Sequence, residues 1–252
     1  MTVALHTLVA ETDRFLDVAR VVDYCPNGLQ VEGRGEVRRI VSGVTASQAL
    51  LDAAVEAQAD LVLVHHGYFW KNENPCIVGI KQRRLKTLLN HDISLLAYHL
   101  PLDLHAEVGN NVQLARRLGL AVEGSLEPGN PRAIGLLGSL PQALSPAAFA
   151  AQVSAALGRE PLLVAGERPI RRVAWCTGAA QGYIDQAIAA GADAYLTGEV
   201  SESTVHSARE SGISFLAAGH HATERYGVQA LGEWLAQRFA IEHRFVDCDN
   251  PV

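Results

Sequence analysis

The sequence predicts an α/β protein made of two related lobes from an internal duplication, with mostly parallel sheets and a small inserted subdomain. Three observations lead to this prediction. Segments typical of strands and of helices alternate through the first half of the chain, and the alternation resumes after residue 170. The second set of segments repeats the residue pattern of the first. Hydrophobic residues make up 48% and charged residues 19% of the 252 residues, which is ordinary for a folded α/β chain.

The first lobe is predicted to span residues 1–120. It opens with MTVALHTLVAETDRFLDVARVV, whose apolar period is typical of an amphipathic helix. The turn signal YCPNG leads into LQVEG, which we interpret as a short edge strand. The strands that follow are RRIVSGV, ADLVLVHH and ISLLAYHLPLD, and the helices are SQALLDAAVEAQA, KQRRLKTLLNH and NNVQLARRLGL. This alternation favours a parallel sheet covered by helices.

The inserted subdomain is predicted for residues 121–170, because glycine and proline cluster in EGSLEPGNPRAIG and a single clear helix follows in SPAAFAAQVSAALG. The second lobe, residues 171–252, resumes the alternation. Its strands are RRVAWCTG, DAYLTGEV, ISFLAAGHH and IEHRFVD, and its helices are YIDQAIAAGA, TVHSARESG and TERYGVQALGEWLAQRFA.

The two lobes align in register. The aligned pairs include Arg39 and Arg172, Asp60 and Asp193, Leu63 and Leu196, and His66 and Glu199. With one shift, the segment that holds His99 and Asp103 falls on the segment that holds His220 and Glu224. Ligand-capable side chains of both lobes therefore collect at the carboxyl ends of corresponding strands, where ligand sites form in open α/β sheets. We expect the two halves to face one shared cleft.

Charge and composition exclude several classes of function. The formal net charge is −6 and no run of lysines or arginines occurs, so binding to a nucleic acid duplex is not expected. No apolar stretch is long enough to cross a bilayer, and the amino terminus has no small-residue cleavage site. The four cysteines form no C-x-x-C pair and are expected to be buried free thiols. These features predict a soluble cytoplasmic protein.

A histidine pair, His65-His66, ends a strongly apolar strand. Neighbours in a regular strand point to opposite faces, but at the strand exit, before the permissive Gly67, both imidazoles can turn inward. The alternative is one histidine in a core hydrogen bond and one exposed. Asp103 follows the next buried strand, in a loop that also carries His99 and His105. We interpret Asp103 as a ligand; the alternative is that it caps the next helix.

His220 and Glu224 form the most specific signal. They lie four residues apart where a strand passes into a helix, which places both on one helix face. A plain surface pair has the same spacing. Glu199, at the end of another strand, is expected to orient a ligand histidine or to act as a general base.

Together these loops supply three imidazoles and two carboxylates, enough for two divalent ions that share a bridging carboxylate, for which we select Glu224. Nitrogen and oxygen donors of this kind suit zinc, iron, manganese or nickel. Paired ions at about 3.5–4 Å point to hydrolysis, although storage or delivery of metal needs the same ligands. No residue is singled out as the catalytic base.

Two other segments are less specific. The segment WCTGAAQG, residues 175–182, joins a strand to a helix and is interpreted as a tight turn; exposed amides that receive a phosphate are the alternative. Tyr68, Phe69 and Trp70 follow the histidine pair, where they would stack a heterocyclic base or pack at a subunit contact.

At these residues the chain resembles the dinuclear-metal family, related to NGG-interacting-factor-like proteins, whose bacterial members are named GTP cyclohydrolase 1 type 2 homologues. The segments that carry the resemblance are DYCPNGLQVEG, GVTASQALLDAA, ADLVLVHHGYFWK, RLKTLLNHDISLLAYHLPLDLH, GNNVQLARRLG, RRVAWCTGAAQ, DAYLTGEVSE and AAGHHATERYG. They extend over nearly the whole chain, and residues 121–169 are the least distinctive.

The resemblance implies two related α/β lobes with a pair of metal ions in the cleft between them. The family's metal positions fall on His65, His66, Asp103, His220 and Glu224, and none is substituted here. The resemblance also implies a homo-oligomer, a ring-shaped hexamer, and a metal-dependent hydrolase that acts on GTP or on a related or damaged nucleotide. The alternative that it leaves open is a metal chaperone or insertase without turnover.

Overall fold

The computed structural model describes residues 1–130 and 133–252. The strands are β1 (Val3–Ala4), β2 (Gly28–Val31), β3 (Glu36–Val37), β4 (Arg39–Thr45), β5 (Leu61–His66), β6 (Ser94–Ala97), β7 (Ala121–Ser125), β8 (Leu136–Leu144), β9 (Leu162–Val164), β10 (Ile170–Trp175), β11 (Ala194–Thr197), β12 (Ser214–Ala217) and β13 (Glu242–Phe245). The α-helices are α1 (Leu5–Phe15), α2 (Gln48–Glu56), α3 (Gly79–Asn90), α4 (Leu100–Leu104), α5 (Asn110–Leu118), α6 (Pro146–Leu157), α7 (Ile184–Ala189), α8 (Glu202–Ser211) and α9 (His220–Phe239). Short 3-10 helices lie at Val18–Arg20 and Gln181–Tyr183.

The chain forms two compact units. The first unit is Met1–Val108 with Gly227–Asp249, and the second is Gly109–Tyr226 with Asn250–Val252. These boundaries differ from those predicted at residues 120 and 170. Strands β7, β8 and β9, from the predicted subdomain, hydrogen-bond into the second unit's sheet, and β13 near the end of the chain pairs with β4 in the first. Residues 131–132 of the predicted subdomain lie outside the described residues.

The first unit contains a five-stranded sheet in the order β13-β4-β5-β6-β2. Four neighbouring strands are parallel, and β2, the predicted edge strand, joins the edge antiparallel to β6. Leu61 and Leu63 of β5 enter one buried cluster while Val62 and Val64 enter another. A strand buried on both faces is what a continuous apolar run in a parallel sheet predicts. The polar residues that follow β5 and β6 therefore lie at one edge of this sheet.

The second unit contains a six-stranded sheet in the order β7-β8-β10-β11-β12-β9. Its centre, β10-β11-β12, is parallel, and the strands on either side of that centre are antiparallel. Tyr195 of β11 packs into one buried cluster while Ala194 and Leu196 pack into another. The α/β class with parallel sheet centres is as predicted, and the antiparallel additions make this sheet mixed.

Equivalent hydrogen bonds recur inside the two units. A carboxylate oxygen of Asp60 accepts from the backbone N–H of Arg39 at 2.9 Å, and one of Asp193 accepts from that of Arg172 at 2.9 Å. The hydroxyls of Ser94 and Ser214 likewise accept from the N–H groups of Gly33, at 3.0 Å, and Gly166, at 3.1 Å. These pairs occupy matching positions in the alignment around the duplicated strands, so each copy of the repeat keeps the same turn contacts.

Two expectations about smaller features need adjustment. The amino-terminal helix ends at Phe15, earlier than the apolar period suggested, because Asp17 adopts a left-handed conformation with φ 52°. All four cysteines are free thiols, but only Cys176 is buried. Among the described residues, no helix is both long and apolar enough to span a membrane.

Candidate metal centre

The histidine pair lies at the carboxyl end of β5, and the two rings lie side by side. The ring centroids of His65 and His66 are 4.6 Å apart. His65 is fully buried, and its Nδ1 donates to the carbonyl oxygen of Tyr98 at 2.9 Å. His66 Nδ1 is hydrogen-bonded to Thr45 Oγ1 at 3.1 Å. Each ring therefore has its Nδ1 in a hydrogen bond, which is the usual arrangement of histidines that bind a metal through Nε2.

Asp103 lies beside this pair in the short helix α4. Its carboxylate is 6% exposed, and Oδ1 is 3.6 Å from His65 Nε2. The capping alternative does not hold, because the next helix, α5, has Gly109 at its N-cap and no side-chain cap. Asn110 and Asn111 are the first helical residues there. The first unit thus brings His65 and Asp103 together with His66.

His220 and Glu224 lie in the first turns of α9, on one face as their spacing predicted. His220 Nε2 is 3.1 Å from Glu224 Oε2, and Glu224 is 4% exposed. His220 Nδ1 donates to Glu199 Oε1 at 2.7 Å, the orienting contact expected of Glu199. The second unit therefore holds a histidine with a fixed Nδ1 next to a buried carboxylate.

Negative charge dominates around His220. Burial by itself lowers the pKa of the imidazole, but the carboxylates of Glu224 and Glu199 raise that pKa to about 9. Two carboxylates around one imidazole favour a positive charge at this place. A divalent cation supplies such a charge, and imidazole nitrogen with carboxylate oxygen is a donor set that zinc, iron, manganese and nickel accept.

Gly178 lies against the His220–Glu224 pair in the second unit. Its φ is +71°, and a Cβ at this position would overlap Glu224 Oε1 and lie 3.2 Å from His220 Nε2. Its N–H donates to Thr223 Oγ1 at 3.0 Å. The amides of Thr177 and Ala180 donate to side chains as well, so these amides are already used within the fold. No sequence pattern indicates the approach of Gly178 to the carboxylate.

The aromatic run after the histidine pair divides between core and site. Tyr68 is buried and donates its hydroxyl to the Ala46 carbonyl oxygen at 2.8 Å, whereas Phe69 is exposed. The Trp70 ring lies 6.0 Å from the His66 ring, centroid to centroid. Of the three aromatic residues, Trp70 is therefore the one that borders the predicted ligands.

A further histidine, His99, lies beside the pair although it was not included among the predicted ligands. Its ring centroid is 5.0 Å from that of His65 and 5.8 Å from that of His66. Its Nδ1 contacts the carboxylate of Asp23 at 3.0 Å. Burial raises the pKa of Asp23, but hydrogen bonds from His99 and Asn27 lower that pKa to about 2. Asp23 is 76 residues away in the chain, and no spacing pattern connects the two.

A pocket of about 570 Å³ lies within the second unit. Glu199, which holds His220, forms part of its wall, together with Gly198 and Ala217. Arg159 and Glu160 supply opposite charges to the same pocket. Its size is within the range of sites that take small molecules. Neither Arg159 nor Glu160 carries a sequence signal, since both lie in a polar connection.

The fold and these histidine–carboxylate groups define a class of α/β proteins with divalent-metal-type donors at the carboxyl ends of strands. Within that class, the chain belongs to the Duf34/NIF3 (NGG1p interacting factor 3) family, whose profile matches residues 3–251. The family resemblance predicted from the sequence is thereby confirmed.

Two relatives and one solved structure show how close the match is. The chain is 80% identical over 252 residues to a GTP cyclohydrolase 1 type 2 homolog of Pseudomonas aeruginosa, with 100% of both chains covered. It is 58% identical to a protein of the same description from Allochromatium vinosum, with 98% of this chain and 97% of the other covered. The structure of protein ybgI, described as of unknown function, matches with a TM-score of 0.95 and 51% identity over 99% of this chain and 100% of that one.

Proposed function

We propose that the chain binds two divalent metal ions and is a metal-dependent hydrolase acting on GTP or a related or damaged nucleotide. The proposed ligands are His65, His66, Asp103, His220 and Glu224. The observation that carries the proposal is the arrangement of the three histidines: each has its Nδ1 hydrogen-bonded, and the Nε2 atoms of His65 and His220 lie next to buried carboxylates. Fixing the second ring nitrogen in this way is the usual arrangement of metal-binding histidines in proteins.

The donor set fits the proposed ions. Buried carboxylates lie 3.6 Å and 3.1 Å from imidazole Nε2 atoms, at Asp103 and Glu224 respectively. A Cβ at residue 178 would overlap Glu224 Oε1, so the position beside this carboxylate is open because residue 178 is glycine. Bound in such a set, a pair of divalent ions supplies Lewis acidity and an activated water for hydrolysis. The chain's own contribution is to hold the imidazole rings and carboxylates in place and to bind the substrate.

The substrate class is supported by the second unit's pocket and by the description of the relatives. The name GTP cyclohydrolase 1 type 2 homolog belongs to proteins that are 80% and 58% identical over nearly the whole chain. In the pocket, Arg159 is suited to pair with a phosphate and Glu160 or Glu199 with an N–H of a base. Since the net charge is −6, we propose a free nucleotide and not a nucleic acid as the substrate.

Elemental analysis and a turnover assay on the same sample test the proposal. Protein purified without added metal is analysed for bound metal and then incubated with GTP and with a panel of oxidised and deaminated purine nucleotides. We expect about two ions per chain and loss of at least one of these nucleotides. The Glu224→Gln variant should lose both properties. Glu202→Gln, at an exposed residue of α8, is the matched control.

Each result has a defined consequence. Two ions without turnover of any nucleotide would retain the metal site and contradict the hydrolase, leaving metal delivery as the function. No bound metal, even after reconstitution with zinc, iron, manganese or nickel, would contradict the proposal as a whole.

We also propose that the chain forms a homo-oligomer, a ring-shaped hexamer as the family resemblance implies. Ile77, Val78 and Ile80 are 56%, 65% and 58% exposed. Three neighbouring exposed aliphatic residues support an interface with another copy. The cytoplasmic location stays a prediction, with which the four free thiols agree.

A further inference from the structure

His99 lies beside His65 and His66, two of the predicted ligands in the first unit. One ligand-capable atom from each of His65, His66 and His99 can be chosen so that all three atoms lie within 4.8 Å of one another. His99 is 7% exposed, and the rings of Tyr24 and Trp70 meet its ring at centroid distances of 5.0 and 5.1 Å. These contacts hold the imidazole in one place beside the histidine pair.

The hydrogen bonds of His99 determine which nitrogen is presented. Its Nδ1 donates to the Asp23 carboxylate, at 3.0 Å from Oδ1 and 3.2 Å from Oδ2. The Asp23 side chain is 2% exposed and also accepts from Asn27 Nδ2 and from the backbone N–H of Leu100, each at 2.9 Å. Asn27 in turn accepts from the backbone N–H of His99 at 2.7 Å. Since Nδ1 is used, Nε2 is the donor that remains for a ligand.

The internal repeat supplies independent support. His99 precedes the carboxylate of Asp103 by four residues, just as His220 precedes that of Glu224 by four. The two segments follow corresponding strands, β6 and β12. Each histidine donates its Nδ1–H to a carboxylate: His99 donates to Asp23 and His220 to Glu199. His99 follows the end of β6 by two residues and His220 follows the end of β12 by three, so the two histidines lie after corresponding strands, one residue apart in register.

We propose that His99, oriented by Asp23, is a further ligand that joins His65 and His66 to form a three-imidazole group for a divalent ion. The inference rests on the proposed metal site and adds a residue to it. A grouping of His99 with Asp23 and Cys25 is less suitable, because the Asp23 oxygens already accept several hydrogen bonds.

Cobalt binding tests the inference without an activity assay. Co²⁺ is added to metal-free protein, and its affinity is measured by calorimetry. In the proton NMR spectrum of the Co²⁺ form, each ligand imidazole with a hydrogen-bonded ring N–H gives one strongly shifted exchangeable signal. We expect one signal each from His65, His66, His99 and His220. His99→Gln and His99→Ala should each lose one signal and weaken Co²⁺ binding at least about tenfold.

His91 provides the matched control. It lies at the end of α3 with its Nδ1 on the Thr87 carbonyl oxygen, so His91→Gln should change neither measurement. If both His99 variants keep every shifted signal and the wild-type affinity while His220→Ala loses a signal, the metal site stands and the inference is wrong. If the wild-type chain does not bind Co²⁺ at all, the proposed function and the inference both fail. Using two His99 variants prevents one misfolded protein from deciding the result.

Discussion

Alanine at Gly178 tests whether the Glu224 carboxylate must lie where the structure places it. The added Cβ would overlap Glu224 Oε1 and lie 3.1 Å from Glu224 Cδ and 3.2 Å from His220 Nε2. Because the Glu224 carboxylate is buried, the overlap is relieved only if the carboxylate rotates or the turn at residue 178 shifts. Rotation moves the oxygen away from the neighbouring imidazole, whereas a shift of the turn leaves the two groups in place.

Two effects contribute to the expected magnitude. The φ of +71° disfavours alanine, which costs roughly 1–2 kcal/mol of folding free energy. Displacement of the carboxylate adds a loss of metal affinity, which we place at about 10- to 100-fold by analogy with the loss of a supporting contact. That range corresponds to about 1.4–2.7 kcal/mol of binding free energy.

Gly191 separates these two effects, because its φ is +69° and no atom lies within 4 Å of the position of its Cβ. Gly191→Ala should lose a similar amount of stability and keep the wild-type affinity for Co²⁺. Thermal unfolding of the metal-free proteins and Co²⁺ calorimetry on all three chains provide the comparison. If Gly178→Ala binds Co²⁺ as tightly as Gly191→Ala does, the reasoning that the added Cβ displaces a metal-binding carboxylate is refuted.

Three other predictions concern different parts of the chain. Glu199→Gln removes a carboxylate that raises the pKa of His220 to about 9, so that pKa should fall in an NMR titration of the metal-free protein; an unchanged value would contradict the contact. Burial lowers the pKa of His243, which is hydrogen-bonded to Ser42 at 2.7 Å, so folding favours the neutral ring. Its stabilising contribution is present above the ordinary pKa of about 6.5 and is lost as the pH falls below it, so His243→Gln should show a smaller decrease in Tm between pH 7 and pH 5 than the wild type; parallel decreases would refute this. Ile80→Glu should reduce the oligomer size measured by light scattering, and an unchanged mass would exclude this residue from the interface.

Local patterns predicted the elements that carry the candidate ligands. The apolar run before His65 fixed β5, and the spacing of His220 and Glu224 fixed their common helix face. Both signals come from neighbouring residues, and the parallel sheet then brings adjacent strand ends together. The orienting contact of Glu199 could also be predicted, because Glu199 follows β11, the strand next to the one that precedes His220.

Contacts between distant residues could not be predicted in this way. Asp23 lies in an irregular segment, and nothing in its neighbourhood indicates that its side chain reaches His99. The boundary near residue 227 depends on β13 pairing with β4, a choice among several exposed strand edges that local propensity does not make. Gly178 could be recognised as a turn residue, but its closeness to Glu224 depends on the packing of α9.

The hydrogen-bond partners at Nδ1 indicate that the Nε2 atoms of the four histidines differ in strength as metal donors. At Nδ1, His65 and His66 have neutral partners, a backbone carbonyl and a hydroxyl, whereas His99 and His220 have carboxylates. A carboxylate on Nδ1–H increases the basicity of the ring and so strengthens Nε2 as a donor. Each unit therefore contains one imidazole strengthened in this way, placed four residues before a buried carboxylate. Removing such an acceptor should weaken metal binding while every ligand remains in the chain, which distinguishes an oriented metal site from a chance cluster of polar side chains.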